Sequence, residues 1–392
     1  MLLIIIKNAE VYSPDYMGKK YVVISGPVIE GLYDSLDIPE GFPGLEVIDG
    51  EGKLLFPGFI DSHVHIIGGG GEGGFKTRTP EIQLSELISA GITTVVGCLG
   101  TDAVTRNMKS LLAKAYGLEE EGISTYIFTG SYQLPAVSIT GKPGEDIILI
   151  EKVIGIGEIA LSDNRSSQPS YEDFLKVVAE ARVAGLISGK AGVVNLHIGN
   201  GPEGLRYLMK ILDETEIPAS QVIPTHINRT RDLLNMGAKY AELGGILDLT
   251  TSSDPNHLED GEVRAAEALK ILLDKGIDIS NIQFTSDGQG SLPIFNERGE
   301  FKGLGIGSVK SLYLEFKEAV INYEVKLEEA LKVVTSNVAD NLKLRSKGRI
   351  QAEKDADLLL VDKESLEIKD VFAKGKAMMA NGKILVKGTF ED

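Results

Sequence analysis

The sequence predicts a (β/α)8 TIM-like barrel of the α/β class, with a small β-sandwich built from both ends of the chain. Three observations lead to this prediction: a length of 392 residues, eight short apolar runs that alternate with helical stretches, and turn-rich β-type segments at both ends. A barrel of eight β-α units typically takes about 250 residues, so the chain has room for the barrel and one smaller domain.

The eight apolar runs are expected to form the parallel strands of the barrel, because such strands are buried on both faces. Between them, segments such as PEIQLSELISAG and YEDFLKVVAEARVAGLISG repeat apolar residues three and four positions apart, which is typical of amphipathic helices. We therefore expect the barrel to occupy residues 53–348. The runs lie at residues 54–65, 93–100, 124–132, 153–161, 193–199, 222–228, 246–252 and 282–288.

The two ends of the chain are expected to form one domain together. Residues 1–52 and 349–392 contain short β-type segments joined by turns such as Asn381-Gly382. Neither segment is long enough to bury a good core alone, so we expect a shared sandwich beside the barrel. The apolar N-terminal run lacks a preceding basic region and is expected to be a first strand rather than a signal peptide. No apolar stretch of the sequence approaches the ~20 residues that a membrane helix needs.

The charge and the cysteine content restrict the partners and the compartment. Lys and Arg number 40 and Asp and Glu number 57, so the formal net charge is −17. Because such a chain repels polyanions, we expect neither nucleic acid nor a membrane as a partner. Cys98 is the single cysteine, which excludes an intrachain disulfide. We expect a cytoplasmic protein in which Cys98 is inert packing.

Histidines occur where an active site of this barrel type should lie, at the C-terminal ends of strands. His63 and His65 close the first run, His197 closes the fifth and His226 the sixth. The first two are separated by one residue, so in a strand their imidazoles point to the same face. His257 follows the seventh run in a loop and is expected to be solvated rather than a ligand.

Carboxylates complete a candidate metal site. Asp287 closes the eighth run, and Glu158 lies within the fourth. Imidazole nitrogen and carboxylate oxygen are natural ligands of zinc, and they also accept manganese, cobalt or iron. A histidine pair on one face, two more strand-end histidines and a strand-end aspartate together favour a metal site over separate packed side chains.

Seven motifs carry a resemblance to the isoaspartyl dipeptidases of the amidohydrolase superfamily. The resemblance implies metal-dependent hydrolysis of β-aspartyl dipeptides, with two divalent metal ions, usually zinc, and assembly into a homo-oligomer. The motifs are HVHIIGGGGEGG (63–74), GCLGTD (97–102), TGSY (129–132), SDNRSSQPS (162–170), NLHIG (195–199), PTHINR (224–229) and SDGQGSLP (286–293).

The resemblance also implies the metal ligands, with one departure from the family. In the family, the fourth strand supplies a lysine carboxylated by carbon dioxide, which bridges the two metals. At the matching position this chain has Glu158, which is also an anionic carboxyl group but on a shorter stem. Two interpretations remain open, a bridging Glu158 or a site with a single metal. The implied ligands are His63, His65, Glu158, His197, His226 and Asp287.

The remaining site residues follow from the same resemblance. Asp287 is implied as the general base and acid, and Tyr132 as the donor to the oxyanion. Glu72 would meet the substrate ammonium, and the glycines around it are expected to let the backbone approach a small substrate. The guanidinium groups of Arg165 and Arg229 suit carboxylates, although each could instead form a salt bridge between loops. The implied substrate-binding residues are Gly70, Glu72, Thr101, Arg165, Arg229 and Ser291.

Two alternative functions share these residues. Another amidohydrolase, such as an N-acyl amino acid deacylase, an amino-sugar deacetylase or a cyclic-amide hydrolase, would need the metals but no acid for a substrate ammonium. A non-catalytic scaffold of the same fold would be expected to have lost ligands, whereas this chain retains four strand-end histidines and the aspartate.

Overall fold

The computed structural model describes residues 3–39, 41–253, 258, 261–295 and 301–391, so His257 lies outside the described residues. The strands are, in chain order, β1 (Leu3–Lys7), β2 (Glu10–Tyr12), β3 (Tyr16–Lys19), β4 (Tyr21–Ser25), β5 (Val28–Tyr33), β6 (Leu45–Asp49), β7 (Lys53–Pro57), β8 (Phe59–Val64), β9 (Ile92–Gly97), β10 (Ser124–Thr129), β11 (Val153–Leu161), β12 (Val193–Ile198), β13 (Val222–Thr225), β14 (Leu247–Thr250), β15 (Ile282–Thr285), β16 (Ser291–Phe295), β17 (Phe301–Ile306), β18 (Leu358–Asp362), β19 (Ile368–Ala373), β20 (Lys376–Ala380) and β21 (Lys383–Ile384).

The α-helices mostly follow the barrel strands and cover them from outside. Within the described residues, no helix is both long enough and apolar enough to cross a membrane. The helices are α1 (Leu84–Ser89), α2 (Met108–Glu121), α3 (Pro143–Leu149), α4 (Tyr171–Ser188), α5 (Arg206–Glu214), α6 (Arg231–Glu242), α7 (Ala265–Asp274), α8 (Lys310–Ile321), α9 (Leu327–Lys332) and α10 (Ser336–Asn341).

The eight strands β8 to β15 form the predicted barrel. Strands β8 to β13 pair in sequence order as one curled parallel sheet of six strands, and β14 pairs with β15 in parallel. A bridge between Val64 and Gly288 joins the last strand back to the first. All residues of β8, β9, β11, β12 and β13 are buried, as expected of strands covered by helices on one face and by the barrel interior on the other.

Both ends of the chain build a β-sandwich beside the barrel, as predicted. A sheet of four strands in the order β5-β4-β1-β6 faces a sheet of seven in the order β21-β20-β19-β18-β7-β2-β3. The second sheet interleaves N-terminal and C-terminal strands, since β7 pairs antiparallel with β18. Apolar side chains between the sheets, among them Ile6, Ile24, Leu55 and Leu360, form a core separate from that of the barrel.

The structure divides the first apolar run, predicted to be one strand, into two. Strand β7 pairs with β2 and β18 in the sandwich, whereas β8 begins the barrel next to β9. Gly58 lies between them, and a Cβ there would come within 2.2 Å of the Thr93 hydroxyl oxygen. The chain therefore passes from sandwich to barrel at a point where a side chain does not fit. The domain boundaries at residues 53 and 348 stay predictions.

Candidate functional site

The predicted metal ligands meet at the C-terminal end of the barrel. His63 lies in strand β8, His65 is the first residue after that strand, and His197 lies in β12. His226 directly follows β13 and Asp287 lies two residues after β15, and both have left-handed backbone, with φ of 64° and 52°.

Glu158 of β11 lies at the centre of the four histidines. Its Oε2 atom is 3.3 Å from Nε2 of His63 and 3.9 Å from Nε2 of His65. Its Oε1 atom is 2.8 Å from Nδ1 of His197 and 3.4 Å from Nε2 of His226. Each carboxylate oxygen therefore faces a different pair of imidazoles.

Asp287 lies on the His63 and His65 side of this arrangement. Its Oδ1 is 3.1 Å from Nε2 of His65 and 3.6 Å from Nε2 of His63. Burial acts to raise the pKa of Asp287, but the neighbouring His65 and the charges of both histidines outweigh it and lower the pKa to about 2. Asp287 is therefore ionised at neutral pH and can accept a proton.

The polar atoms at the centre of the site suit a cation. Four buried atoms each lack a hydrogen-bond partner among the described residues: both ring nitrogens of His63, Oε2 of Glu158 and Oδ1 of Asp287. Buried polar atoms normally have a partner, so such a group of orphaned acceptors is a sign of a ligand site. Glu158 belongs to both sets of side chains close enough to hold an ion, one with His63, His65 and Cys98 and one with His197 and His226. The residues therefore fit divalent metal.

Two pKa shifts keep the surrounding groups in useful protonation states. Burial, together with the charge of Arg229, lowers the pKa of His226 to about 3, so its imidazole is neutral and able to bind metal. Burial and the charge of Glu158 raise the pKa of Tyr132 well above its usual value, so its hydroxyl stays protonated and can donate. The hydroxyl oxygen lies 2.8 Å from Nδ1 of His197.

The predicted ammonium-binding acid and one predicted carboxylate-binding arginine are paired with each other. Oε1 of Glu72 accepts hydrogen bonds from the Thr101 hydroxyl at 2.8 Å and from Nη1 of Arg165 at 3.3 Å. The guanidinium of Arg165 also lies over the ring of Tyr132, 5.3 Å from its centroid. Arg229 donates to the carbonyl oxygen of Ile198 at 2.9 Å, which holds it at the same rim.

The glycines of this region make room for protein atoms. Gly70 has a left-handed backbone, and a Cβ there would lie 3.1 Å from Cβ of Ser291 and 2.7 Å from the Thr77 carbonyl oxygen. A Cβ on Gly100 would lie 2.9 Å from Cε1 of His65. These two positions need glycine because a loop and an imidazole ring pack directly against them.

One cavity of about 880 Å³ contains the whole arrangement. Its walls include every predicted site residue except His63 and Glu158, which lie buried beneath the floor. Leu292 and Leu304 of the β16–β17 hairpin add an apolar wall. The volume is in the range of small-molecule sites.

Three further residues contact the predicted ligands, and two of them, Asp163 and Thr250, were not predicted from the sequence. Asp163 lies 3.0 Å from Nε2 of His197, and the Thr250 hydroxyl lies 2.7 Å from Nδ1 of His226. Cys98, expected to be inert packing, has its Sγ 3.7 Å from Nδ1 of His65. Thr250 ends strand β14, so its strand-end position was the available signal. Asp163 lies inside the quoted motif SDNRSSQPS, where only the arginine was assigned a role.

Comparison with known proteins agrees with this arrangement. A model of the amidohydrolase family matches residues 54–378. Two structures of a β-aspartyl dipeptidase from Fervidobacterium islandicum AW-1 cover 98% of both chains: one, in complex with a β-Asp-Leu dipeptide, has 46% identity and a TM-score of 0.88, and the other 44% and 0.89. An imidazolonepropionase from Colwellia psychrerythraea is 23% identical over 367 residues, 86% of this chain and 84% of that protein.

Proposed function

The chain belongs to the amidohydrolase family, and on that premise we propose that it hydrolyses β-aspartyl dipeptides. One observation carries the proposal: a cavity with a metal-ligand set on its floor has Glu72 and Arg165, of opposite charge, on its wall. A β-aspartyl dipeptide offers an ammonium and two carboxylates to such groups. The similar Fervidobacterium protein, a β-aspartyl dipeptidase, was solved with β-Asp-Leu.

The proposed cofactor is a pair of divalent ions, with Zn²⁺ as the expected metal. His63, His65 and Asp287 would hold one ion, and His197 and His226 the other, because these groups lie on opposite sides of Glu158. Bound divalent metal supplies a hydroxide nucleophile at neutral pH and polarises the scissile carbonyl. Assembly into a homo-oligomer and a cytoplasmic location remain predictions.

Glu158 is the proposed bridge between the two ions. Its two oxygens face different imidazole pairs, which supports bridging over ligation of one metal. A glutamate needs no carbon dioxide, so activity should not respond to bicarbonate. Metal analysis should find two equivalents per chain. One equivalent, or activation by bicarbonate, would contradict the bridge.

Two side chains carry the proton transfers in the proposed reaction. Asp287, ionised at neutral pH, accepts the proton of the attacking water on its carboxylate and delivers it to the leaving amine. The hydroxyl of Tyr132 contacts Nδ1 of His197 in this structure. When His197 uses that nitrogen as a ligand, the hydroxyl is free to donate to the oxyanion of the tetrahedral intermediate.

Substrate binding would exchange one internal ion pair for several substrate contacts. The α-ammonium of the isoaspartyl residue would take the place of Arg165 beside Glu72 and Thr101. Arg165 and Arg229 would then hold carboxylates, and Gly70 and Ser291 would line the same side of the pocket. A guanidinium fork matches a carboxylate in shape as well as in charge.

The test is an assay of the metal-loaded protein on β-Asp-Leu, α-Asp-Leu and N-acetyl-leucine. We expect rapid hydrolysis of β-Asp-Leu and much slower turnover of the other two, because neither places an ammonium and two carboxylates at the same positions. Faster turnover of N-acetyl-leucine would favour an N-acyl amino acid deacylase. A protein that binds no metal would favour a non-catalytic scaffold.

A further inference from the structure

Asp163 connects two halves of the pocket. The metal half comprises the predicted ligands His63, His65, Glu158, His197, His226 and Asp287, and the substrate half comprises Gly70, Glu72, Thr101, Arg165, Arg229 and Ser291. The side chain of Asp163 is 6% exposed. Its Oδ1 accepts from the backbone N and Nε of Arg165 at 2.8 and 2.9 Å, and its Oδ2 accepts from Nη2 at 2.8 Å. The same Oδ2 lies 3.0 Å from Nε2 of His197. One carboxylate therefore holds both a guanidinium and an imidazole.

The imidazole of His197 needs this carboxylate to present the correct nitrogen. Nδ1 faces Oε1 of Glu158 at 2.8 Å, so it is the nitrogen on the metal side. A neutral imidazole carries one hydrogen, and a carboxylate beside Nε2 favours the hydrogen there, which leaves the Nδ1 lone pair free.

Two guanidinium groups oppose this tautomer. Nη2 of Arg165 and Nη1 of Arg229 each lie 3.3 Å from Nε2 of His197. A guanidinium can only donate, so these groups favour a bare Nε2 and a hydrogen on Nδ1, as does the Glu158 carboxylate beside Nδ1 when no metal is bound. Asp163 is the acceptor that reverses this preference.

The backbone fixes Asp163 relative to His197. Gly199 follows strand β12, and a Cβ there would lie 2.6 Å from Cβ of Asp163 and 2.4 Å from the Ser162 carbonyl oxygen. The amide of Gly201 donates to the same carbonyl at 2.6 Å. The ends of β11 and β12 thus pack backbone to backbone, which leaves little freedom for the carboxylate to move away.

We propose that Asp163 is a positioning residue that sets the metal-binding tautomer of His197 and, with the same carboxylate, orients Arg165 for a substrate carboxylate. The inference rests on the proposed function. Outer partners of metal-bound histidines typically contribute about 10–100-fold to metal affinity. Because one side chain serves both halves, its loss should weaken metal binding and substrate binding together.

The first test compares Asp163→Asn with Arg165→Met. We expect Asp163→Asn to weaken Zn²⁺ affinity by about 10–100-fold in a chelator competition, and to raise KM for β-Asp-Leu. Arg165→Met should raise KM without weakening Zn²⁺ affinity. Asp340→Asn is the matched control, since Asp340 makes a similar two-bond pair with Arg349 on the surface, at 2.7 and 2.6 Å. Unchanged Zn²⁺ affinity in a folded Asp163→Asn protein would overturn the proposal.

The second test needs no Asp163 variant to fold. Zinc-loaded wild-type protein labelled with ¹⁵N-histidine, with His197 assigned by comparison with His197→Gln, reports the state of each ring nitrogen. We expect a hydrogen on Nε2 and none on Nδ1, and a hydrogen on Nδ1 would overturn the proposal. If wild-type protein does not cleave β-Asp-Leu, the proposed function fails, while the Zn²⁺ titration of Asp163→Asn still decides the role of Asp163 and the ¹⁵N spectrum still decides the tautomer of His197.

Discussion

In the metal half of the pocket, buried atoms of His63, Glu158 and Asp287 lack hydrogen-bond partners among the described residues, whereas in the substrate half Glu72 and Arg165 satisfy each other. The difference follows burial. The side chain of Glu158 is 1% exposed, while those of Glu72 and Arg165 are 28% and 33% exposed. A buried orphan acceptor is costly unless a cation compensates it, but a half-exposed pair can separate at little cost.

The two halves of the pocket suit two kinds of ligand, a metal ion that stays bound and a substrate that exchanges. The metal half is organised for a ligand that stays bound, because the folded chain carries unpaired acceptors until a cation is present. The substrate half is organised for exchange, because its charges are paired before the substrate arrives and paired again afterwards. Glu158→Gln should therefore change metal content and Glu72→Gln substrate affinity, whereas Asp287→Asn and Tyr132→Phe test turnover.

The largest effect is expected for Glu158→Gln, which removes the negative charge between the four imidazoles. Loss of a group that only hydrogen-bonds a metal ligand typically costs about 10–100-fold in metal affinity, and Glu158 is itself a proposed ligand. We therefore expect metal affinity to fall by more than ~10²-fold, and turnover to fall with it. Metal content and kcat are measured on the same sample. Glu158→Lys with and without bicarbonate is the companion variant, because it restores the residue type of the family. If the Glu158→Gln protein retained two metal ions, the claim that the metal half depends on this buried carboxylate would be wrong.

Asp287→Asn should act on turnover more than on binding. The variant cannot accept a proton, so we expect kcat to fall by about 10²–10⁴-fold, with a smaller change in KM. Steady-state kinetics on β-Asp-Leu gives both values. Unchanged kcat in the variant would remove Asp287 from the proton transfers.

Tyr132→Phe tests the boundary between the halves, where the hydroxyl contacts His197. We expect kcat to fall by about 10²–10³-fold, as for loss of one oxyanion donor, with metal content unchanged. Metal analysis beside single-turnover kinetics distinguishes the two effects. A variant that lost metal but kept its turnover per metal would show a structural role instead.

Glu72→Gln should change substrate affinity alone. Loss of the charged partner for the substrate ammonium is expected to lower kcat/KM for β-Asp-Leu by about 10–100-fold, as for one hydrogen bond to a charged group, and to leave metal content unchanged. Glu81→Gln is the control, since Glu81 forms a surface pair with Lys114 at 3.3 Å. If Glu72→Gln and Glu81→Gln behave alike, the dipeptide assignment loses its main support.

The smallest effect concerns Asp248, a buried acid on β14 that belongs to neither set of proposed metal ligands. Burial raises its pKa to about 6 from an ordinary 3.8, although the nearby Thr225, the charge of His63 and a hydrogen bond from Thr285 oppose this. The folded state therefore binds the extra proton between these values, and stability falls as pH rises through them. Asp248→Asn should gain on the order of 1 kcal/mol over wild type between pH 5 and pH 8, measured by urea unfolding. No change with pH would contradict the raised pKa.

The comparison also shows which parts of the site a sequence can reveal. The same-face pair His63 and His65 follows from a spacing of two in a strand, and the strand-end positions of His197 and Asp287 follow from the barrel. The glycine-rich loop is expected to bring backbone to the substrate, and the structure adds that Gly70 packs on Ser291. A glycine in the sequence indicates a position where a side chain does not fit, but it does not show which neighbouring group occupies that space.

The sequence by itself determined the barrel, the sandwich from both ends and the residue types of the site, because strand burial, turn residues and strand-end positions are local patterns. The tertiary structure alone decided that the two oxygens of Glu158 face different histidine pairs, that Glu72 meets Arg165 and that Asp163 reaches His197. Those contacts join residues on different strands and loops. Their geometry depends on how the strands close into a barrel, and no local pattern in the chain encodes that.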